Sequence, residues 1–195
     1  MDIIMCGVGG QGTVMASRAV GEAAIAQGYE VRTSEIIGMA QREGSVVSQV
    51  RIGQTLQGPL IPDAAADYLL GFELAEAVRN LEKLKTGGRA LVNTGMIVPP
   101  TVYLGISGYN GEELISFLRE QIPGVVLVNA RRLAENAGST KALNAVMLGA
   151  FSKLCPAVEE AQLLEKLLAH LPQKVQEVNT RAFSLGREYV EGKTR

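Results

Sequence analysis

The feature that most constrains the fold is a glycine-rich turn near the start of the chain, Gly7-Val8-Gly9-Gly10-Gln11-Gly12. It follows a short apolar run at residues 3–6 and precedes the stretch 13–27, which is rich in alanine and other good helix formers. Glycine adopts positive φ angles and lets the backbone approach other groups closely, so this turn suits a sharp change from strand to helix. With a second strand predicted at 29–33, the segment has the length of one strand–helix–strand crossover.

Apolar runs continue to alternate with helical patterns, which is typical of an α/β protein with a parallel sheet. Further strands are predicted at 45–52, 67–70, 90–93, 102–106 and 125–128. Further helices are predicted at 74–84, ended by Gly87-Gly88, at 112–121, and at 141–154, ended by Pro156. The sequence therefore predicts an α/β fold with a Rossmann-like, mostly parallel sheet flanked by helices over residues 1–156. Residues 157–195 form a C-terminal helical extension.

The extension is predicted to contain two helices separated by a proline. In the second helix, steps of three and four residues separate the members of a narrow apolar seam, Val175, Val178, Ala182, Leu185 and Tyr189. Such a seam packs either on a partner subunit or on the chain's own domain, and the sequence leaves both open.

Composition excludes several classes of protein. The 19 basic and 20 acidic residues give a net charge of −1 with no basic stripe, so nucleic-acid binding is not expected. No apolar run is long enough to span a bilayer, and the first residues lack the basic region of a signal peptide, so no membrane association is expected. The two cysteines, Cys6 and Cys155, are too few for an iron–sulfur cluster and lie outside any paired motif. A reducing cytoplasm is the compartment that this composition favours.

The glycine turn alone permits several functions. Backbone N–H groups at the start of the following helix attract anions, so a phosphate-bearing ligand would suit the turn. A dinucleotide would also require an acidic residue at the end of the second strand, roughly 20 residues further on. Glu30 comes early for this role and Glu35 comes late. The alternative without a ligand is close packing of helix on strand, which the small residues Ala16, Ala19 and Ala23 also favour.

A second motif decides between these possibilities through a family resemblance. It consists of Glu35-Ile36-Ile37-Gly38-Met39-Ala40-Gln41-Arg42-Glu43-Gly44-Ser45-Val46, followed by Val50-Arg51-Ile52-Gly53. Together with the glycine turn, it resembles the gamma-type domain of 2-oxoacid:ferredoxin oxidoreductases. Within that family, the chain is most similar to the separate beta subunit of the indolepyruvate enzymes. The resemblance extends from the first strand through the helix that contains Lys141 and Asn144.

One position departs from the family pattern. Members of the family usually have glycine where this chain has Glu43, which adds a negative charge beside Arg42. The substitution either weakens anion binding at this loop, marks a subgroup with another substrate or partner, or simply points to solvent.

The resemblance implies an activity that needs other polypeptides. Enzymes of this family decarboxylate a 2-oxoacid on thiamine diphosphate, pass electrons through iron–sulfur clusters to ferredoxin, and form an acyl-CoA. Thiamine diphosphate, Mg²⁺ and the clusters are expected in a large partner subunit. This chain is expected to hold no tight cofactor, to contribute CoA binding and subunit contacts, and to be inactive alone. When isolated, it is a candidate for a homodimer.

The resemblance and the two motifs together nominate binding residues for CoA phosphates or for the partner subunit. They are Gly7, Gly9, Gly10, Gln11, Gly12, Arg42, Ser45, Lys141 and Asn144. No catalytic residue and no metal ligand is assigned, and Cys6 is expected to be a small buried residue, not a nucleophile.

Each polar member of this set has a structural alternative. The Gln11 amide donates and accepts hydrogen bonds at once, which suits a phosphate or a subunit contact. Arg42 suits bidentate phosphate binding, or is satisfied by a neighbouring glutamate. Ser45 either supplies a hydroxyl or starts a strand. Lys141 and Asn144 begin a helix whose N-terminus can hold an anion, or Asn144 only braces the loop.

Two rival functions remain at this stage. One is an NAD(P)-dependent dehydrogenase with a short Rossmann domain, and the other is a non-enzymatic module that binds CoA or a nucleotide. Specificity for one 2-oxoacid is expected to lie mainly with the thiamine-bearing partner.

Overall fold

The computed structural model describes residues 1–39, 44–98, 100–106 and 108–192. Its strands are β1 (Asp2–Val8), β2 (Glu30–Ile37), β3 (Ser45–Gly53), β4 (Ala66–Gly71), β5 (Leu84–Asn93) and β6 (Val126–Val128). Its helices are α1 (Thr13–Ala26), α2 (Leu74–Arg79), α3 (Pro100–Tyr103), α4 (Gly111–Gln121), α5 (Ala130–Ala137), α6 (Leu143–Leu154), α7 (Glu160–Ala169) and α8 (Gln173–Glu191). Short 3-10 turns occupy Leu81–Lys83 and Thr140–Ala142.

The strands form one mixed sheet in the order β2-β3-β1-β4-β5-β6. Pairing is parallel from β1 through β4 and β5 to β6, whereas β3 is antiparallel to both of its neighbours. Among the described strands, β3 alone therefore runs against the others. The predicted α/β class and mostly parallel sheet are confirmed. The first crossover differs from the prediction, because β1 and β2 point the same way but have β3 inserted between them.

Helices cover both faces of the sheet, because successive side chains of a strand point to opposite sides. Ile3 and Met5 of β1 belong to a large core formed with α1, α5, α6, α7 and α8. Cys6 belongs to a second core formed with α2 and α4. The carboxyl ends of the parallel strands are thus left open between two helical layers.

Two predicted elements are wrong, and one helix was not predicted. The strand predicted at 102–106 is replaced by α3 and a turn. The helix predicted at 74–84 ends at Arg79, where the Asn80 backbone and side chain both donate to the Glu76 carbonyl group. Leu84 instead begins β5 opposite Ala66 of β4, so Gly87 and Gly88 lie within a strand. Helix α5 was not predicted, because its apolar face consists mainly of the small residues Ala130, Ala134 and Ala137.

The C-terminal helix packs on its own chain. Ala182 is fully buried, and Val178, Leu185 and Tyr189 pack partly buried against the main core. Tyr189 also donates a hydrogen bond of 2.7 Å to the Leu127 carbonyl oxygen. The seam is therefore used within the chain, while the division at residue 156 stays a prediction. Among the described helices, none combines the length and the apolar character that crossing a bilayer requires.

Helices α6 and α8 touch backbone to backbone through a pair of glycines. A Cβ atom at Gly149 would lie far inside contact distance of the Phe183 carbonyl oxygen, and one at Gly186 would collide with the Val146 carbonyl oxygen. Backbone atoms cannot rotate away as the end of a side chain can, so only glycine permits this crossing.

We predict that Gly149→Ala and Gly186→Ala each lower the free energy of unfolding by about 1–3 kcal/mol through overpacking. Urea denaturation measures this change. Gly192→Ala is the matched control on α8, because its added Cβ would lie 3.5 Å from the nearest atom, an ordinary contact. Equal unfolding midpoints for the Gly149 and Gly192 variants would contradict the crossing.

Candidate functional site

The candidate site lies where the connections of two neighbouring parallel strands diverge. After β1 the chain passes through α1, on one face, to β2; after β4 it passes through α2, on the opposite face, to β5. In α/β sheets, ligands bind in the crevice outside the carboxyl ends of the strands at such a point. The predicted glycine turn lies at this crevice because it directly follows β1.

The glycine loop is braced mainly by Gln11. The Gln11 side-chain oxygen accepts a hydrogen bond of 2.9 Å from the Val8 N–H, and its side-chain nitrogen donates to the Phe72 carbonyl oxygen at 3.1 Å. These bonds connect the end of β1 to the end of β4. Gly7 leaves no room for a side chain, because a Cβ there would lie 2.9 Å from the Cβ atom of Phe72 and 2.7 Å from the Gln11 side-chain oxygen. The Gln11 amide therefore makes hydrogen bonds within the fold, and a contact with a ligand, as predicted from the sequence, would compete with them.

The start of α1 depends on glycine in another way. Gly12 has a φ of 82°, in the left-handed region, and among the described residues no side chain caps the helix. A Cβ at this position would lie 2.9 Å from the Asn144 side-chain nitrogen. Asn144 is almost fully buried and lies 3.3 Å from the Met15 sulfur, while its oxygen accepts the Ala145 N–H. Asn144 thus packs against Gly12 at the start of α1, and its contact with a ligand stays a prediction.

The second motif adjoins the glycine loop. Val8 pairs with Ser45 across β1 and β3, and the Gly9 N–H donates to the Gly44 carbonyl oxygen at 2.9 Å. The Ser45 hydroxyl donates at 2.6 Å to Glu76, a buried carboxylate that also pairs with Arg79. Ser45 and Gly44 of the second motif therefore lie against the end of β1 and the glycine loop. Ala40, Gln41, Arg42 and Glu43 lie outside the described residues.

A cleft of about 290 Å³ opens beside the loop. It combines three of the predicted residues, Gly10, Gln11 and Lys141, with a second cation, Arg131. Its other walls are Asn93, Gly95, Met96, Ile97, Thr140 and Leu143. Neither Ser45 nor Asn144 lines the cleft. The cleft therefore offers an anion two positive side chains and a glycine loop, and it offers apolar side chains to the rest of a ligand.

Asn93 is a site residue that the sequence reasoning missed. It ends β5, is buried, and donates 2.9 Å to the Phe72 carbonyl oxygen while accepting the Ala130 N–H at 3.1 Å. The signal for it was present, since a polar residue directly after the apolar run 90–92 lies at the carboxyl edge of the sheet. Arg131 gave no comparable signal, because α5 itself was not predicted.

A larger hollow of about 660 Å³ lies between the start of β5 and the end of α4. It is lined by residues 84–89 and 121–124, together with Leu81, and includes none of the predicted binding residues. It lies at the opposite edge of the sheet from the glycine loop. We therefore assign the site to the smaller cleft.

Comparisons with known proteins agree with this geometry. The family model described as pyruvate ferredoxin/flavodoxin oxidoreductase matches residues 2–189. The chain belongs to this family. It is 39% identical to the indolepyruvate oxidoreductase subunit IorB of Thermococcus kodakarensis, over 95% of this chain and 93% of the relative. It is 40% identical to the protein of the same name from Methanothermobacter thermautotrophicus, over 95% of both chains. The oxoacid ferredoxin oxidoreductase gamma subunit of Geobacter sulfurreducens shares its fold, with a TM-score of 0.73, 25% identity and 98% coverage of each chain.

The strand order of this oxidoreductase subunit disfavours a nicotinamide dinucleotide. In a dinucleotide-binding domain the second strand lies beside the first and presents its terminal acid to the ribose. Here β3 separates them, so β2 lies two strand spacings, or about 10 Å, from β1. Glu35 is paired with Ser48 of β3. The acid that the dehydrogenase alternative requires is therefore displaced from the glycine loop.

Neither cysteine of the subunit suits nucleophilic chemistry. Burial, followed by the negative charges of Glu76 and Glu73, raises the pKa of the Cys6 thiol well above its usual value. Burial likewise raises the pKa of the Cys155 thiol. Since the thiolate is the reactive form, both cysteines are expected to be inert. Within the described residues, no three His, Cys, Asp or Glu side chains are grouped as a metal site would require.

We predict that an aromatic disulfide reagent modifies neither thiol of the folded protein rapidly at about pH 8, because both thiols are buried and protonated. Absorbance of the released thiolate measures the reaction. Both cysteines should react once the chain is unfolded in guanidinium chloride. A fast stoichiometric reaction in the native state would contradict the burial of Cys6 and Cys155.

Proposed function

We propose that this chain is the small subunit of an indolepyruvate:ferredoxin oxidoreductase and that it contributes CoA binding to the holoenzyme. The observation that carries the proposal is the similarity, 37–40% identity along 95% of the chain, to four subunits that are named for indolepyruvate. A large partner subunit would carry thiamine diphosphate, Mg²⁺ and the iron–sulfur clusters. The complex would work in the cytoplasm and reduce ferredoxin.

The holoenzyme reaction is an oxidative decarboxylation. The 2-oxoacid loses CO₂, two electrons pass to ferredoxin, and the remaining acyl group is transferred to the CoA thiol. Thiamine diphosphate supplies the stabilised carbanion that this chemistry needs. The residues of the small subunit would bind and orient CoA, so that its thiol reaches the acyl group in the partner.

The chemistry of the cleft supports this role. CoA carries several phosphate groups, and Arg131 and Lys141 offer them positive charge beside the backbone of the glycine loop. Met96, Ile97 and Leu143 offer an apolar surface to the rest of the ligand. A volume of about 290 Å³ is at the low end for ligand sites, which measure roughly 300–1,000 Å³. The cleft would hold only part of CoA, and the partner subunit would complete it.

Co-purification tests the subunit assignment. An affinity-tagged chain expressed in its source cells should retain a larger chain that contains thiamine diphosphate and iron. The complex should reduce a viologen dye with indolepyruvate and CoA, and more slowly with pyruvate or 2-oxoglutarate. The purified small chain alone should show no turnover. Recovery of the chain by itself, with CoA binding intact, would favour the non-enzymatic binding module instead.

We predict that Lys141→Ala in the holoenzyme raises KM for CoA roughly threefold to tenfold, because one phosphate contact is lost. The KM for indolepyruvate should remain unchanged, since the 2-oxoacid binds elsewhere. Lys174→Ala is the matched control, as Lys174 is exposed on α8 and outside the cleft. Steady-state kinetics with varied CoA measures both. An unchanged KM for CoA in Lys141→Ala would remove the CoA assignment from this cleft.

A further inference from the structure

The chain between β5 and α4 forms a loop whose two ends meet at one atom. The Ile97 N–H donates to Oε1 of Glu73 at 3.4 Å, and the Tyr109 hydroxyl donates to the same oxygen at 2.6 Å. Glu73 is only 2% exposed. A single buried carboxylate oxygen therefore closes the base of the loop.

The second oxygen of Glu73 fixes the carboxylate itself. Oε2 accepts the Glu76 N–H at 2.9 Å, which makes Glu73 the cap of α2. Glu76 in turn accepts the Ser45 hydroxyl beside the glycine loop. The first turn of α2 is thus joined to the loop between β5 and α4 through Glu73, and to the second motif through Glu76.

Several large apolar side chains of the loop are exposed. Tyr103, Leu104 and Ile106 are 79%, 72% and 73% exposed, so these side chains do not anchor the loop to the core. Near the base, Met96 lies against Gly111, where any Cβ atom would collide with the Met96 sulfur. Just after β5, the Thr94 N–H donates to the Val128 carbonyl oxygen at 2.9 Å. The hydrogen bonds to Glu73 add to these contacts at the base of the loop.

The start of the loop is also a wall of the cleft. Gly95, Met96 and Ile97 line it together with Arg131 and Lys141. A shift at Ile97 would change the width of the cleft and the place of its apolar surface. The tether at Glu73 lies behind this wall and does not itself line the cleft.

We infer that Glu73 is a positioning residue, which holds both ends of the loop through Ile97 and Tyr109 and so fixes the wall of the cleft that binds CoA. The inference rests on the proposed function for the identity of the ligand. The tether holds across the physiological range, because burial and the hydrogen bond to Glu73 raise the pKa of Tyr109 well above its ordinary value. The phenol therefore stays protonated and continues to donate.

Tyr109→Phe tests the inference with minimal change of shape. In the holoenzyme, KM for CoA should rise about threefold to tenfold with a smaller change in kcat, because the wall is displaced and not the reacting groups. In the full chain without ligand, exchange of the Ile97 amide hydrogen should accelerate about tenfold, because the base of the loop opens more often. Tyr29→Phe is the matched control, since Tyr29 is partly exposed before β2, away from the loop and the cleft, and this variant should match the wild type in both measurements.

Glu73→Gln provides a second variant. Glutamine has one acceptor oxygen, whereas Glu73 uses both oxygens as acceptors, so either the loop or the α2 cap loses its partner. This variant should raise KM for CoA at least as much as Tyr109→Phe, and its thermal melting curve shows whether it is folded.

The outcomes separate this inference from the proposed function. If Lys141→Ala raises KM for CoA but Tyr109→Phe leaves KM and amide exchange unchanged, Glu73 is not a positioning residue and the inference is overturned. If Lys141→Ala has no effect, the CoA assignment fails, and the inference about CoA fails with it. Raised KM values in both variants, with faster Ile97 exchange only in Tyr109→Phe, support both.

Discussion

The carbonyl oxygen of Phe72, at the end of β4, is the point on which the carboxyl edge of the sheet depends. It accepts one hydrogen bond from the Gln11 side chain and one from the Asn93 side chain, while the Phe72 N–H donates to the Cys6 carbonyl oxygen. Three parallel strands, β1, β4 and β5, are thereby joined beyond the last rungs of their ladders. A buried carbonyl group left without these donors would cost about 1–3 kcal/mol. The two amides therefore fix the glycine loop and the end of β5 in one arrangement.

The hydrogen bonds at Phe72 illustrate a division among the polar residues near the cleft: some support the fold, and others remain for a ligand. Gln11 and Ser45 were nominated for ligand contacts because of their hydrogen-bonding side chains, and Asn144 because it lies near a helix N-terminus. In the folded chain these groups bond to Phe72, Glu76 and the α6 backbone. Arg131 and Lys141 line the cleft, and Arg131 also pairs with Glu135 at 3.2 Å. The neutral side chains therefore support the loop, while these two residues bring positive charge to the cleft.

The sequence predicted the order of helices and strands along the chain better than it predicted which strands pair in the sheet. Local sequence patterns predicted β1, α1, β4, α4 and the C-terminal helices, because the two strands are short apolar runs and the helices are rich in helix formers or carry apolar residues at helical spacing. These patterns could not place β3 between β1 and β2, because the pairing of β1 with β3 joins residues distant in sequence, such as Val8 with Ser45. The same limit concealed Glu73, whose partner Tyr109 reaches it only in the folded chain. The glycine turn could be predicted because its conformation depends on the glycine residues within it.

The C-terminal seam constrains where a second polypeptide can bind. Its helix α8 approaches α6 so closely that Gly149 and Gly186 leave no room for a Cβ atom, and its apolar stripe is covered by the chain's own core. A partner cannot reach that stripe without separating the two helices. Large apolar side chains are instead exposed at and just after the end of β2, at Ile36, Ile37 and Met39, and between β5 and α4, at Tyr103, Leu104 and Ile106. Both groups lie at or beyond carboxyl ends of strands, at the edge where the cleft opens. A subunit that completed the cleft would approach from this edge, because that approach covers exposed apolar surface and leaves the α6–α8 contact intact.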